Sequence, residues 1–326
     1  MEPGTEDTGP ANGFEWAAAR LAELRDAVTH VFIGRPGTVD LLLAAVAAGG
    51  HVLVEDVPGI GKTTLAKALA RALGGEFRRI QFTPDLVPSD ITGLNVYNQR
   101  NGEFEFRAGP LLANVVLADE VNRATPRTQS ALLEAMEERQ VTIDGQTILL
   151  PRPFLVLATQ NPVELEGTFP LPEAQLDRFL LRVALGYPDE EAEDAMLLRF
   201  GSGDPWRELQ PVLEPAEAER VQTIAREVHV EPVVRRYILD LVRSTRGHPA
   251  LQLGASPRAS LALLRAARAL ALTRGRGFVT PDEVKTLAVP VLAHRLMLDP
   301  QHQLRGRQAT DVVRELAEAL PVPVEG

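Results

Sequence analysis

Residues 52–67 read VLVEDVPGIGKTTLAK, and the order of residue types in that stretch decides the fold. The apolar run His51-Val52-Leu53-Val54 breaks at Pro58-Gly59, and apolar residues return after Gly61-Lys62-Thr63-Thr64 at Leu65, Ala66, Leu69 and Ala70. That spacing predicts strand, loop, helix. A glycine loop feeding a helix N-terminus is a phosphate cradle. Gly59, Ile60 and Gly61 turn backbone N–H groups inward, the helix directs its positive end at the anion, Lys62 reaches phosphate oxygens, and Thr63 offers a hydroxyl to Mg²⁺. Asp56 stands where the first glycine of such a loop is usual, and the sequence gives no account of its carboxylate.

Working outward, VVLADE (115–120) is an apolar run ending in two acids. A buried strand of a parallel sheet would deliver them to the edge where α/β sheets bind ligands, Asp119 to hold a hydrated Mg²⁺ and Glu120 to activate a water. An acidic cap on the following helix would explain one of the two carboxylates. Phe154 to Ala158 is a further apolar strand that brings Thr159, Gln160 and Asn161 to the same edge. Asn161 suits a neutral sensor of the terminal phosphate, and an Asn before Pro also serves as a turn residue.

The 326 residues, 45% of them hydrophobic, suffice for a large core and for two domains. There is no cysteine, and the six histidines lack paired ligand spacing, which argues against disulfides and thiolate or transition-metal sites. No apolar run is long enough to span a membrane, and the N-terminus is polar and acidic, so a soluble, cytoplasmic protein is expected. A net charge of −10 disfavours general affinity for nucleic acid. Arg243, Arg246, Arg265, Arg268, Arg274 and Arg276 read as solvated helix faces.

In chain order, residues 1–13 are expected to form a flexible tail, 14–187 an α/β nucleotide domain, and 188–326 a helical domain, with the boundary at Tyr187-Pro188 where strands give way to helical periodicity. Phe14 to Val31 suits an amphipathic helix leading into Phe32-Ile33-Gly34, a turn that packs adenine or simply ends the helix. Thr38 to Ala48 is a helix. Two hairpins are signalled, one turning at Asn101-Gly102 and one at Asp144-Gly145. Leu171 to Leu181 reads as helix running into a last strand. Ser256 and Pro257 open a later helix whose first turn carries Arg258; a cation there opposes the helix dipole, so something anionic should face it.

Four blocks in order resemble the MoxR-type AAA+ ATPases over Val31 to Pro300: GGHVLVEDVPGIGKTTLAKALA, LADEVNRATPRTQSALLEAMEERQVTIDG, ATQNPVELEGTFPLPEAQLDRFLL and SPRASLALLRAARALA. The resemblance implies an AAA+ P-loop domain, a parallel sheet flanked by helices with two inserted β-hairpins, followed by an all-α lid. It implies ATP and Mg²⁺ as ligands and a ring, commonly hexameric. By position Lys62, Thr63 and Thr64 correspond to Walker A contacts, Asp119 and Glu120 to the Walker B pair, Asn161 to sensor 1 and Arg258 to the sensor 2 arginine. Arg178 corresponds to the finger inserted into the next subunit's site, with Arg123 as the alternative.

The function implied by the resemblance is that of an ATP-driven remodeller of client protein complexes, working with a von Willebrand A domain partner. A nucleic-acid motor or loader of the same clade is the alternative. Arg100, Arg107 and Arg139 on the hairpins are outweighed there by Glu103, Glu105, Glu137, Glu138 and Asp144. A nucleotide switch that binds without hydrolysing is disfavoured by Glu120 and Asn161.

Overall fold

The computed structural model describes residues 10–35, 37–57, 59–160, 167–201 and 203–323. In the first half of the chain lie α1 (Pro10–Val31), α2 (Thr38–Ala48), β1 (Val52–Glu55), α3 (Lys62–Ala72), β2 (Phe77–Gln81), α4 (Pro88–Thr92), β3 (Gly93–Asn98), β4 (Glu103–Ala108), β5 (Val115–Asp119), α5 (Pro126–Glu138), β6 (Gln140–Ile143), β7 (Gln146–Leu149) and β8 (Leu155–Gln160). There follow α6 (Glu173–Leu176), β9 (Leu181–Val183), α7 (Glu190–Phe200), α8 (Pro215–Glu227), α9 (Pro232–Ser244), β10 (Leu251–Leu253), α10 (Pro257–Thr273), α11 (Pro281–Leu292), β11 (Met297–Leu298), α12 (Pro300–Leu304) and α13 (Ala309–Ala319).

Five strands form one sheet in the order β2-β5-β8-β1-β9, every pairing parallel. Alternation along each central strand sends side chains into two separate apolar cores. Val52, Val54, Val115, Leu117, Leu155 and Leu157 enter one, and Leu53, Val116, Ala118, Val156 and Ala158 enter the other. A sheet covered on both faces needs apolar residues at every position, which is why these segments are continuous apolar runs in the sequence.

The first core is closed by α1, α2 and α3 and extends through α8, α9, α10 and α11, so it crosses Tyr187-Pro188 without a break. Helix α1 contributes Ala17, Leu21, Leu24 and Val28 at helical spacing and begins at Pro10, four residues ahead of the expected Phe14. The second core is closed by α5 and the segments around it. Pro126, Pro215, Pro232, Pro257, Pro281 and Pro300 each open a helix, where the missing N–H is not needed, so they start helices rather than interrupt them.

Both hairpins form, β3 with β4 and β6 with β7, and Asn95 Nδ2 donates to Asp144 Oδ2 at 2.8 Å, tying one to the tip of the other. Three expectations need correction. Strands do not vanish after Pro188: β10 and β11 pair antiparallel, too short for a periodic signal. The helix expected over 171–181 is confined to Glu173–Leu176, because Pro172 opens it and the chain turns at Asp177, whose carboxylate is held by Arg295. Arg274 and Arg276 are not merely solvated; both pair with Glu283, which is fully buried.

Candidate nucleotide-binding site

β1 ends at Glu55 and α3 begins at Lys62, so the glycine loop lies at the C-terminal edge of the sheet. Gly59 and Gly61 both take φ of 86°, a left-handed conformation that aims successive N–H groups into one concavity. Helix α3 has no side-chain cap and no acid in its first turn, which leaves its first amide groups available to an anion. An added Cβ at Gly61 would meet the Phe32 ring at 3.4 Å, so the turn carrying Ile33 and Gly34 packs against this loop.

Lys62 Nζ donates to the Asp56 carbonyl at 2.8 Å. Partial burial lowers its pKa, opposed by the carboxylates of Asp119, Asp56 and Glu120, which share its surroundings. β5 delivers Asp119 and Glu120 to that same edge. Thr159, fully buried on β8, donates to Asp119 Oδ1 at 2.6 Å and accepts the Glu120 N–H at 2.8 Å. Glu120 itself is in the left-handed region, with φ 58°. Arg79 holds Asp119 Oδ2, with Nη2 at 2.5 Å, and Gln81 Nε2 donates to Glu120 Oε2 at 2.8 Å. Arg123 Nη1 lies 3.1 Å from that same Glu120 oxygen. Asn161 lies outside the described residues, as does Pro58 within the loop.

These donors fit a magnesium nucleoside triphosphate. Mg²⁺ is usually held by one or two carboxylates together with water and phosphate oxygens, and Thr63 and Asp119 are the hard oxygen donors flanking Lys62 here. Among the described residues no group of three His, Cys, Asp or Glu side chains is arranged to hold a metal ion without such help.

Arg178 and Arg258 are elsewhere. Arg178 Nε lies 3.0 Å from Glu137 Oε2, Arg258 pairs with the other oxygen of Glu137, and Arg258 Nη1 is 3.8 Å from Asp177. The anion expected opposite Arg258 is therefore Glu137 with Asp177. Both arginines line a cleft of about 880 Å³ together with Gly49, Gly50, His51 and Phe154, which precede β1 and β8. Arg139, Arg226, Arg265 and Arg268 line it too, and burial followed by the nearby Arg265 pushes Arg139 down to about 10. The placement of Arg258 among the nucleotide contacts of its own chain is thus corrected. α10 runs along α2, whose end lies before β1, and its first turn faces the edge opposite Lys62.

Sequence reasoning brought Thr159 to this edge without a role and missed Arg79 and Gln81 altogether. Their signal is alternation: positions 79 and 81 share one face of a short strand whose register sets Gln81 beside Asp119.

Residues 51–181 match the family described as "ATPase family associated with various cellular activities (AAA)", and residues 243–316 match the AAA lid domain. The uncharacterized protein YeaC of Bacillus subtilis is 49% identical over 94% of this chain and 95% of its own length. Chaperone MoxR1 of Mycobacterium tuberculosis is 44% identical over 91% of this chain and 82% of its own. A crystal structure of a candidate ATPase from Cytophaga hutchinsonii superposes with a TM-score of 0.90 at 37% identity, covering 96% of this chain and 97% of that one. Two domain matches in order, relatives aligned nearly end to end, and a glycine loop facing an Asp-Glu pair across a parallel sheet agree: the chain belongs to the MoxR family of AAA+ ATPases.

Proposed function

We propose that this chain hydrolyses ATP as one copy in a ring, commonly of six, and uses the cycle to assemble or mature client protein complexes. The observation that carries the reading is the separation of charges: Lys62, Asp119 and Glu120 stand at one sheet edge, and Arg178 and Arg258 at the other. Copies set edge to edge would bring the arginines of one to the carboxylates of the next. In this reading Arg178 rather than Arg123 is the trans arginine, since Arg123 already faces its own Glu120. The division at Tyr187-Pro188 into nucleotide domain and lid belongs to the same proposal.

Mg-ATP, when bound, supplies the bond to be cleaved and the cation that offsets its charge. Lys62 exchanges the Asp56 carbonyl for phosphate oxygens, Thr63 and Asp119 hold the cation, and Ile33 and Gly34 flank the base. Gln81 holds Glu120 until it turns toward a water, and Asn161 keeps the sensor role that the sequence assigns to it. The hairpins suit a protein client: Tyr97 and Phe104 pair across the strands at 5.3 Å and are 52% and 71% exposed. Family membership extends the reading to a partner with a von Willebrand A domain and to work in the cytoplasm. Among the described residues no helix is long and apolar enough to cross a membrane.

A trans arginine is worth about 10³–10⁵ in rate in related phosphoryl-transfer enzymes. Arg178→Ala and Glu120→Gln should each bind ATP and release almost no phosphate. Mixed together, they should recover activity, because an Arg178→Ala copy beside a Glu120→Gln copy makes one complete site. A mixture as inert as its components would reject the shared site.

A further inference from the structure

Asp56 occupies a position where phosphate loops usually carry glycine, and three hydrogen bonds meet on it. Its carbonyl accepts from Lys62 Nζ at 2.8 Å, its Oδ1 accepts from Val57 N at 2.9 Å, and its Oδ2 accepts from Gly186 N at 2.6 Å. Gly186 lies between β9 and α7, on the connection that leads from the sheet to the helical part of the chain. The connection is narrowly specified there. Gly186 takes φ of 68°, and an added Cβ would collide with the Arg35 guanidinium. A left-handed conformation and the guanidinium over it both require glycine. The remaining amide hydrogen is held by a carboxylate, the stronger class of acceptor.

We infer that Asp56 is a positioning residue that couples occupation of the phosphate loop to the setting of the connection at Gly186. The inference rests on the nucleotide site proposed above. Lys62 cannot satisfy the Asp56 carbonyl and a triphosphate at once in this geometry. When it leaves, the peptide joining Asp56 to Val57 loses its cationic partner while the loop N–H groups turn to the anion. The Asp56 side chain springs from that same backbone, so the shift reaches Gly186 through one rigid residue. A glycine at this position would cradle phosphate equally well and would transmit nothing. That accounts for a carboxylate placed close to an anion site, where electrostatics alone disfavours it.

The test is hydrogen exchange of peptides spanning 183–189 with and without Mg-ATP, on the full chain and on Asp56→Gly and Asp56→Asn. In the parent chain ATP should change protection of this segment by roughly tenfold, within the usual range for coupled sites. Asp56→Gly should hold ATP within about threefold of the parent affinity and lose the ATP-dependent change, with kcat reduced and KM unaltered. Asp56→Asn keeps an acceptor oxygen for the Gly186 N–H and should restore most of the response. An ATP-dependent change that survives in Asp56→Gly, or that Asn fails to restore, overturns the coupling while leaving the nucleotide site intact. A parent chain that binds no Mg-ATP overturns both.

Discussion

Thr159 and Asp119 are joined by a 2.6 Å hydrogen bond in which the threonine hydroxyl donates, and the same oxygen takes the backbone N–H of Glu120. One buried side chain on β8 therefore fixes both acids at the end of β5, a strand it neighbours in the sheet. The register places Ala158 beside Ala118, so the next residue on each strand meets at the rim, where the pleat directs Thr159 toward the carboxylate.

Thr159→Val keeps the volume and removes the hydroxyl. The Glu120 N–H then loses its acceptor, at a cost of about 1–3 kcal/mol. Asp119 loses the partner that orients it, and changes of this kind beside a metal ligand lower affinity or activity by about 10–100-fold. Thr159→Ser should stay near the parent in both. Thermal melts together with phosphate release check the pair of effects; a Val variant with full activity would remove Thr159 from the site's organisation.

Acid sensitivity arises from a residue at the opposite edge. His51 is buried, its Nδ1 accepts from Val156 N at 3.0 Å, and its Nε2 therefore carries the proton that faces the Met136 carbonyl. Burial, reinforced by the charge of Arg139, lowers its pKa from 6.5 to about 3. The folded pKa lies below the unfolded one, so unfolded chains take up the proton first. The stabilisation from the neutral ring is complete above pH 6.5 and is lost as pH falls toward 3. At about pH 5 the loss from this group is about 2 kcal/mol. His294, also buried and shifted in the same direction, adds to it. Urea titrations from pH 7.5 down to pH 5 should show falling stability, and His51→Gln should flatten the slope; an unchanged slope in that variant would assign the effect elsewhere.

How much of this was legible depended on whether a residue's role is local. The glycine loop, the strand carrying Asp119 and Glu120, both hairpin turns and the limits of α2 follow from periodicity and turn chemistry, which act over a few neighbours. The partners of Asp56, Arg178 and Arg258 are set by chain segments far away in sequence, and no spacing encodes them. Arg258 shows the limit well. The first-turn cation required an anion opposite it, and one is there, but the anion is Glu137 at the far edge because α10 lies along α2 rather than over the glycine loop.

A last prediction concerns what holds that far edge in shape. Arg295 is nearly inaccessible, its side chain 4% exposed, and it donates to Asp177 Oδ1 at 2.7 Å and to the Phe179 carbonyl at 2.6 Å. Burial lowers its pKa while Asp177 raises it again, so the charge persists only because the carboxylate is present. Arg295→Met would leave Asp177 and two or three carbonyls without their donor, and breaking a buried pair from one side costs about 3–5 kcal/mol. Replacing both members, with Asp177→Leu added, leaves no buried charge and should recover most of that loss in urea melts. Activity should separate from stability. Asp177 precedes Arg178 directly and is also the second carboxylate facing Arg258. The doubly substituted chain should therefore regain its fold and still hydrolyse ATP slowly, with nucleotide affinity unchanged. A double variant that is stable and fully active would show that the orientation of the two exposed arginines does not depend on the buried one.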